Sequence, residues 1–384
     1  MHIAGGLYRE ICLRPSWNSL FGSGGRAALA VAGLSNGPVL HSYFENNKNA
    51  DLEIYRDEGI QLELAPRRAG IAFAYFHPLS KPHLEQSDPA ACQPLQVEGD
   101  VVLRFGFVEG DAVVSARRAI FDPQGWRNPL DFYANGSVTD ELALVLNEAE
   151  LRKLDSTLSG DEAGRKLIRS GQANIVVVKR GVFGARVIDE ALEAHDIPAF
   201  KSPHVFKIGT GDVFSALFAL YWGEQGWKPE QAAYFASKGV ASYTTTQRLP
   251  VENHISDHQA VIMKSMGAVL VIGLKNTIGQ HYTFEEAMFR LRELGVDVRS
   301  HFDVSSDPTG SAILILADGM TKKMVRSALD DLVGLPVVLL DELQDPQLNG
   351  ICHDVIKTTD FSTALYQVSW AAMNLNDPDG TTLN

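Results

Sequence analysis

The stretch Phe206-Lys207-Ile208-Gly209-Thr210-Gly211-Asp212-Val213-Phe214-Ser215-Ala216-Leu217-Phe218 decides how this chain is read. Two glycines flank a threonine and a carboxylate follows at once. Val213, Phe214, Leu217, Leu220 and Tyr221 then continue an apolar, helix-compatible run that closes near Gly223. The pattern predicts a loop entering a buried helix. A helix start is an anion site, because its free N–H groups point outward, the dipole adds partial positive charge, and small residues let a phosphate approach the backbone. Asp212 then stands where a carboxylate can take a proton from a hydroxyl as a phosphoryl group arrives. Taken alone, the same residues also read as a plain helix cap and a turn, so the rest of the chain must decide.

A length of 384 residues suits a large domain plus a smaller one. With 45% hydrophobic and 21% charged residues the composition is that of a soluble globular protein. No apolar run approaches the ~20 residues of a membrane span. Met1-His2-Ile3-Ala4-Gly5-Gly6 lacks the basic-then-apolar pattern of a signal peptide, so a cytoplasmic location is expected. Cys12, Cys92 and Cys352 have neither metal nor disulfide spacing and read as reduced structural thiols. A net charge of −13 argues against a nucleic-acid surface but not against a small anion held by local dipoles.

Outward from the opening stretch, short apolar runs alternate with helical ones. His2 to Ala4 reads as a strand, and Gly22-Ser23-Gly24-Gly25-Arg26 precedes a helix from Ala27 to Leu34. That glycine cluster either brings backbone amides close to a polar ligand or serves as a simple connection. Residues 36 to 100 read as irregular apart from a strand at Gly70 to Phe76, because Pro78, Pro82, Pro89 and Pro94 break the chain beyond it into loop. Val101 to Phe105, Arg118 to Phe121, Leu142 to Leu146 and Ile175 to Val178 read as buried strands; Gly160 to Ser170 and Pro229 to Tyr243 read as helices. This alternation is that of a parallel sheet with crossover helices, whose ligands bind beyond the carboxyl ends of the strands. Asn147, Glu150, Gly181 and the Gly209 to Asp212 loop all fall at or just after strand ends, which favours the binding reading over the capping one.

Together these pieces resemble the PfkB, or ribokinase-like, family of sugar and nucleoside kinases over roughly residues 1 to 248. Gly209-Thr210-Gly211-Asp212-Val213-Phe214 is similar to the family's Gly-Ala-Gly-Asp loop, and Asn147-Glu148-Ala149-Glu150 to its Asn-x-x-Glu. Asp122-Pro123-Gln124 looks like its Asp-Pro, and Gly181-Val182-Phe183-Gly184 like the glycine pair of its nucleotide-binding turn. The resemblance implies a ribokinase-like α/β domain that phosphorylates a hydroxyl of a sugar or nucleoside with ATP and Mg²⁺. By it, Asp212 is the base, and the amides of Gly209, Thr210 and Gly211 form the anion hole. Asn147 and Glu150 order Mg²⁺ through its waters, and Gly181 and Gly184 meet the nucleotide. Lys179 reads either as a phosphate contact or as a solvated lysine. Phosphoryl transfer needs positioning and charge neutralisation more than covalent chemistry, and hard oxygens suit Mg²⁺.

The acceptor side departs from the family. Glu10 is the carboxylate nearest to where an aspartate usually follows the first strand, and Arg26 stands in a segment that normally carries asparagine. Glu10, Gly24, Gly25 and Arg26 are the expected acceptor contacts, and the lid segment reads as short and proline-broken. The alternative is a weakened kinase that binds nucleotide or nucleoside and regulates.

Residues 249–266 read as a linker and 267–384 as a smaller α/β domain. Ala268 to Ile272, Val296 to Val298, Ala312 to Ala317 and Val337 to Leu340 read as strands. Thr283 and Glu286 match a capping box for a helix that Gly295 ends, and Lys323 to Leu332 is helical. The order of elements resembles an ACT module. The residues resemble more closely the nucleoside 2-deoxyribosyltransferase family, through Ile278-Gly279-Gln280, Glu285-Glu286-Ala287, Asp303-Val304-Ser305, Asp318-Gly319, Gly334-Leu335-Pro336-Val337-Val338, Asp360-Phe361 and Trp370-Ala371-Ala372. Where that family places its nucleophilic glutamate stands Val325-Arg326, and an arginine is no carboxylate nucleophile. The domain is therefore expected to be non-catalytic, serving assembly or sensing. By analogy with both families the protein is expected to be a homo-oligomer acting on a small molecule, with no nucleic-acid or membrane partner.

Overall fold

The computed structural model describes residues 1–45, 50–86, 92–125, 131–154, 157–252, 257–263, 267–302, 311–330, 334–351 and 355–373. The chain divides into two compact units, Met1–Ser202 with Phe206–His258 and Pro203–Val205 with Gln259–Asn384.

In the first unit the described strands are β1 (His2–Ala4), β2 (Arg9–Cys12), β3 (Trp17–Leu20), β4 (Val39–Phe44), β5 (Gln61–Pro66), β6 (Ile71–Tyr75), β7 (His83–Gln86), β8 (Leu95–Phe105), β9 (Ala112–Asp122), β10 (Val138–Asn147), β11 (Ile175–Lys179), β12 (Ala185–Ile188) and β13 (Ala194–Ile197). Its helices are α1 (Gly22–Val31), α2 (Glu53–Asp57), α3 (Glu148–Leu154), α4 (Gly160–Arg169), α5 (Thr210–Phe218) and α6 (Pro229–Thr246). A nine-stranded sheet runs in the order β13-β12-β11-β10-β9-β8-β1-β4-β5. Neighbours from β5 to β11 are parallel, and β12 and β13 close one edge as an antiparallel pair.

Both faces of this sheet are covered where Val101–Leu103, Ala119–Phe121, Leu142–Leu146 and Ile175–Val178 run, and these stretches are apolar residue after residue. Leu103, Ile120, Val145 and Val177 pack on one face with Leu29 of α1, Leu217 of α5 and Ala236 of α6. Their neighbours Val102, Ala119, Leu144 and Val176 pack on the other face with Leu151 of α3 and Leu167 of α4. This period of two, with helices on each side, is what a parallel sheet requires.

The register of β8 and β9, from Leu95 opposite Ala112 to Phe105 opposite Asp122, imposes a second feature. Eleven extended residues span about 35 Å, more than the connection 106–111 can cover at ~3.6 Å per residue. The strands meet this constraint by folding over. Pairing skips Asp100 and Arg117 between β8 and β9, and Arg117 and Asp140 between β9 and β10. Arg104, near the end of β8, consequently reaches Asp111 at 2.7 Å and Ser137 at 3.2 Å, just ahead of β9 and β10. At the corner, Arg117 donates to Asp100 at 2.7 Å.

Residues 36 to 100 are more regular than their prolines suggest. β4 and β5 extend the main sheet, and β2, β3, β6 and β7 form a separate four-stranded sheet in the order β3-β2-β6-β7. The segment expected to be a short, broken lid is therefore an ordered sheet. The strands between residues 36 and 86 are short, and mixed sequences such as Gln61-Leu62-Glu63-Leu64 of β5 carry too few apolar residues to stand out.

In the second unit β14 (Ala268–Gly273), β15 (Asp297–Ser300), β16 (Ala312–Leu316), β17 (Val337–Leu340) and β18 (Val355–Thr358) pair in the order β15-β14-β16-β17-β18, all parallel. Its helices are α7 (Ile278–Glu293), α8 (Lys322–Asp330) and α9 (Phe361–Met373). The order of elements legible in the sequence lacks β18 and α9, and the all-parallel pairing differs from the ACT-like expectation. Helix α7 starts earlier than expected: Thr277, not Thr283, caps it, in a reciprocal box with Gln280. Asp303-Val304-Ser305 and Cys352 lie outside the described residues.

Candidate functional site

The carboxyl ends of β9, β10 and β11 deliver Asp122, Asn147 and Lys179 to one edge of the sheet, with Asn147 directly opposite Lys179 in the register. The start of α5 belongs to the same cluster. Gly209 adopts a left-handed backbone (φ 75°), and a Cβ there would lie 2.0 Å from Nε of Arg26. Only glycine fits, both for its backbone and because the Arg26 side chain lies against it.

Asp212, in the first turn of α5, is buried and held from two sides. Its Oδ2 accepts from Arg26 Nη1 at 3.1 Å and its Oδ1 from Gln124 Nε2 at 3.0 Å. Gln124 reaches it from a left-handed backbone of its own (φ 60°), a conformation costly for a residue with a side chain.

Arg26 is 0% exposed. It donates from Nη1 to Glu10 Oε1 at 2.8 Å, from Nη2 to Glu10 Oε2, and from Nε to the Tyr243 hydroxyl at 3.2 Å. That hydroxyl donates in turn to the carbonyl of Ile208 at 3.0 Å. Burial disfavours the charge on Arg26, but Glu10 and Asp212 overcome it and keep the guanidinium protonated. Burial likewise pushes the Asp212 carboxyl upward, with Arg26 pulling it back.

Two ammonium groups complete the cluster. Lys179 Nζ donates to Asp122 Oδ2 at 2.5 Å, and Ser215 Oγ donates to the same oxygen at 2.7 Å. Lys179 Nζ also lies 3.5 Å from the point a Cβ on Gly211 would occupy, so it stands beside the loop backbone. Burial opposes the Lys179 charge, and Asp122 and Glu150 outweigh it, raising the amine's affinity for its proton. Lys207 Nζ donates to Thr210 Oγ1 at 2.7 Å. Burial, with Lys179 nearby, lowers the Lys207 amine to about 8.

That depressed value sets a pH window. Between pH 8 and the ordinary lysine range the unfolded chain binds more protons here than the folded one, so this group makes folding more favourable as pH rises. Denaturant unfolding at pH 8 and pH 10 is expected to show this rise in the wild type relative to Lys207→Met. Parallel pH profiles for the two proteins would refute the assignment.

No known family model and no curated protein matches this chain. Solved structures to which it is similar include a pyrophosphate-dependent kinase in the ribokinase family complexed with a pyrophosphate analog and myo-inositol, at 14% identity over 65% of this chain and 96% of that one, with a TM-score of 0.45. Ribokinase from Thermotoga maritima is 19% identical over 65% of this chain and 93% of that one, with a TM-score of 0.45. Phosphofructokinase-2 from Escherichia coli in complex with potassium is 14% identical over 65% and 94%, with a TM-score of 0.47. Likeness this low decides nothing about chemistry, which rests on the site itself.

Asn147 and Glu150 close on each other. The Glu150 amide donates to Asn147 Oδ1 at 2.9 Å and the Asn147 amide to Glu150 Oε2 at 2.8 Å, the reciprocal arrangement that caps a helix start. Burial pushes the Glu150 carboxyl upward, with Lys179 opposing. Among the described residues no group of three or more His, Cys, Asp or Glu side chains is placed to hold a metal ion.

The glycines among the expected site residues are closely packed or in left-handed turns. A Cβ on Gly24 would lie 2.5 Å from the carbonyl oxygen of Gly5, and one on Gly25 would lie 2.5 Å from the Tyr55 hydroxyl. Both glycines sit inside α1, where they let the helix press onto the β1 connection. Gly181 and Gly184 have positive φ (57° and 85°) in the turn between β11 and β12, where a Cβ on Gly184 would lie 2.1 Å from the Ile197 carbonyl oxygen. Glu10 and Arg26, expected to hold the acceptor, hold each other.

Sequence reasoning missed Gln124, Lys207, Ser215 and Tyr243 as members of the site. Gln124 directly follows the Asp-Pro pair and Lys207 precedes Thr210 by one turn, so both carried a local signal; Tyr243, 217 positions from Arg26, carried none. A cleft of about 550 Å³ opens on the α3 and α4 side, lined by Leu151, Arg152, Ser159, Asp161, Arg180 and Arg186 among others. None of the loop residues Gly209 to Asp212 lines it.

Proposed function

We propose that the first unit transfers a phosphoryl group from a polyphosphate such as ATP to a hydroxyl of a sugar or nucleoside, with Asp212 as the base. One observation carries this reading: Asp212 stands in the first turn of α5 with the ammonium groups of Lys179 and Lys207 against the same loop. Positive charge and outward amides favour a phosphate there, and a carboxylate one residue beyond Gly211 favours a hydroxyl nucleophile.

The hydroxyl proton passes to Asp212 as its oxygen bonds to phosphorus, and the bond from phosphorus to the leaving oxygen breaks. Lys179, Lys207 and the loop amides stabilise the charge that spreads over the phosphoryl oxygens. Arg26 favours the ionised form of Asp212 against the cost of burial, and Gln124 fixes its orientation. A carboxylate offers about four lone-pair sites, and these two contacts leave room for an acceptor hydroxyl.

A second reading, a nucleotide- or nucleoside-binding regulatory protein, is favoured by the Glu10–Arg26 pair, which commits both Glu10 oxygens on the acceptor side. For the second unit we propose a transferase-like domain that does not cleave glycosidic bonds. Val325, where the related family places its glutamate, is buried in α8. A phosphorus NMR screen of ATP with a panel of sugars, polyols and nucleosides decides between the two readings of the first unit. Phosphate ester from one acceptor class is expected. Tight ATP binding with no ester from any acceptor would replace catalysis with regulation.

A further inference from the structure

We propose that Lys179 is the resident cation of this site, and that phosphate groups bind the Gly209–Gly211 loop without a divalent metal ion. The inference rests on reading that loop as a phosphate-binding site, and it names the counter-charge that such a site needs.

The carboxylates at the strand ends each already accept from a protein donor. Asp122 gives one oxygen to Lys179 and Ser215; Asp212 gives its two oxygens to Arg26 and Gln124. Glu150 gives one oxygen to the Asn147 amide, and Asn147 gives its side-chain oxygen back. Magnesium demands near-octahedral oxygen ligands, keeps several of its waters, and holds to proteins through one or two carboxylates beside the substrate phosphates. One fully buried side-chain atom at this edge has no hydrogen-bond partner among the described residues, Oδ1 of Asp122, a residue 1% exposed. A divalent ion there would face the ammonium on the sister oxygen 2.5 Å from Nζ. Like charges that close in a low-dielectric interior repel strongly, so the ammonium disfavours a metal on this carboxylate.

The ammonium itself stands beside the loop. Lys179 comes off the end of β11, is anchored by Asp122, and has Nζ beside the backbone of Gly211. A phosphate seated on the loop amides therefore meets a tethered cation that pays no association entropy. Lys207, bonded to Thr210, supplies a second positive group on the loop's other residue. An aqueous metal is not needed to neutralise the phosphate charge.

The test is calorimetric binding of inorganic pyrophosphate to the full chain, in EDTA and in excess Mg²⁺. Wild-type affinity is expected to change by less than about threefold between the two conditions. Lys179→Met is expected to lose about 10- to 100-fold in EDTA, as a charge-assisted contact is removed, and to recover part of it with Mg²⁺. Because that variant leaves Asp122 buried without its partner, the double variant Asp122→Asn/Lys179→Met is measured beside it. It removes both charges, is expected to unfold at a temperature closer to wild type, and should show the same metal-free loss. Wild-type binding that appears only with Mg²⁺ overturns the proposal and leaves the phosphoryl-transfer reading standing. Undiminished binding by the folded double variant in EDTA overturns it as well. No pyrophosphate binding in either condition overturns both.

Discussion

Asp212→Asn is expected to lower phosphoryl transfer by about 10²- to 10⁴-fold, the range a positioned general base contributes. Asparagine keeps the shape and an oxygen for Gln124 to donate to, so α5 should start as before, but it cannot take the proton. The loss should fall on kcat, with donor affinity little changed, because Lys179, Lys207 and the loop amides remain. The pH profile separates this role from a merely structural one. Asp212 must be ionised to act, and burial raises its carboxyl above the ordinary range. Wild-type activity is therefore expected to rise with pH through that raised value and to fall away on the acid side, and the asparagine variant should lack this limb. A variant with near wild-type turnover, or one that keeps the acid limb, would remove Asp212 from the mechanism.

Arg26→Met is expected to cost about 3–5 kcal/mol of stability, because it leaves two buried carboxylates facing each other without their cation. Arg26 is 0% exposed at its side chain, with Glu10 at 6% and Asp212 at 12%, so solvent does little to compensate. For a unit of this size the loss corresponds to a drop in Tm of about 6–20 °C. The deficit should depend on pH in a defined direction. Without the guanidinium the Asp212 carboxyl is pushed further up, so the folded variant binds a proton that the unfolded chain releases. Stability from that uptake is present at acid pH and is lost as pH rises through the raised value, so the deficit should be smaller at pH 5 than at pH 8. Removing Glu10's charge together with Arg26, as Glu10→Gln/Arg26→Met, should recover much of the loss, a non-additivity expected of residues in one network. Equal deficits at both pH values, or strict additivity, would show that Arg26 matters for its volume and not for its charge.

Much of the fold was legible in local pattern. The buried strands at Val101, Leu142 and Ile175 and the helix entered at Thr210 follow from apolar runs and glycine punctuation, signals that need no distant partner. Weakly apolar segments were not legible. β5 and β7 gain their identity from the strands beside them, so their own residues understate it. The extent of β8 and β9 was also hidden, because the fold-over at Asp100, Arg117 and Asp140 places polar residues in the middle of continuous strands. In the second unit a capping pattern at Thr283 competed with the one at Thr277, and burial of Phe284, Ala287 and Leu291 on one face suits either start.

By itself, the sequence determined the loop Gly209 to Asp212, the alternation that makes a parallel sheet, and the strand-end placement of Asp122, Asn147 and Lys179. These are matters of nearest-neighbour chemistry and period. Only the tertiary structure decided what the charged residues do there. Glu10 and Arg26, chosen as contacts for an acceptor, close on each other, and Arg26 also closes on Asp212, 186 positions further along the chain. Lys179, left open between solvent and phosphate, lies between Asp122 and the loop. A buried charge takes whichever partner the fold brings within about 3 Å, and no spacing along the chain records which one that will be.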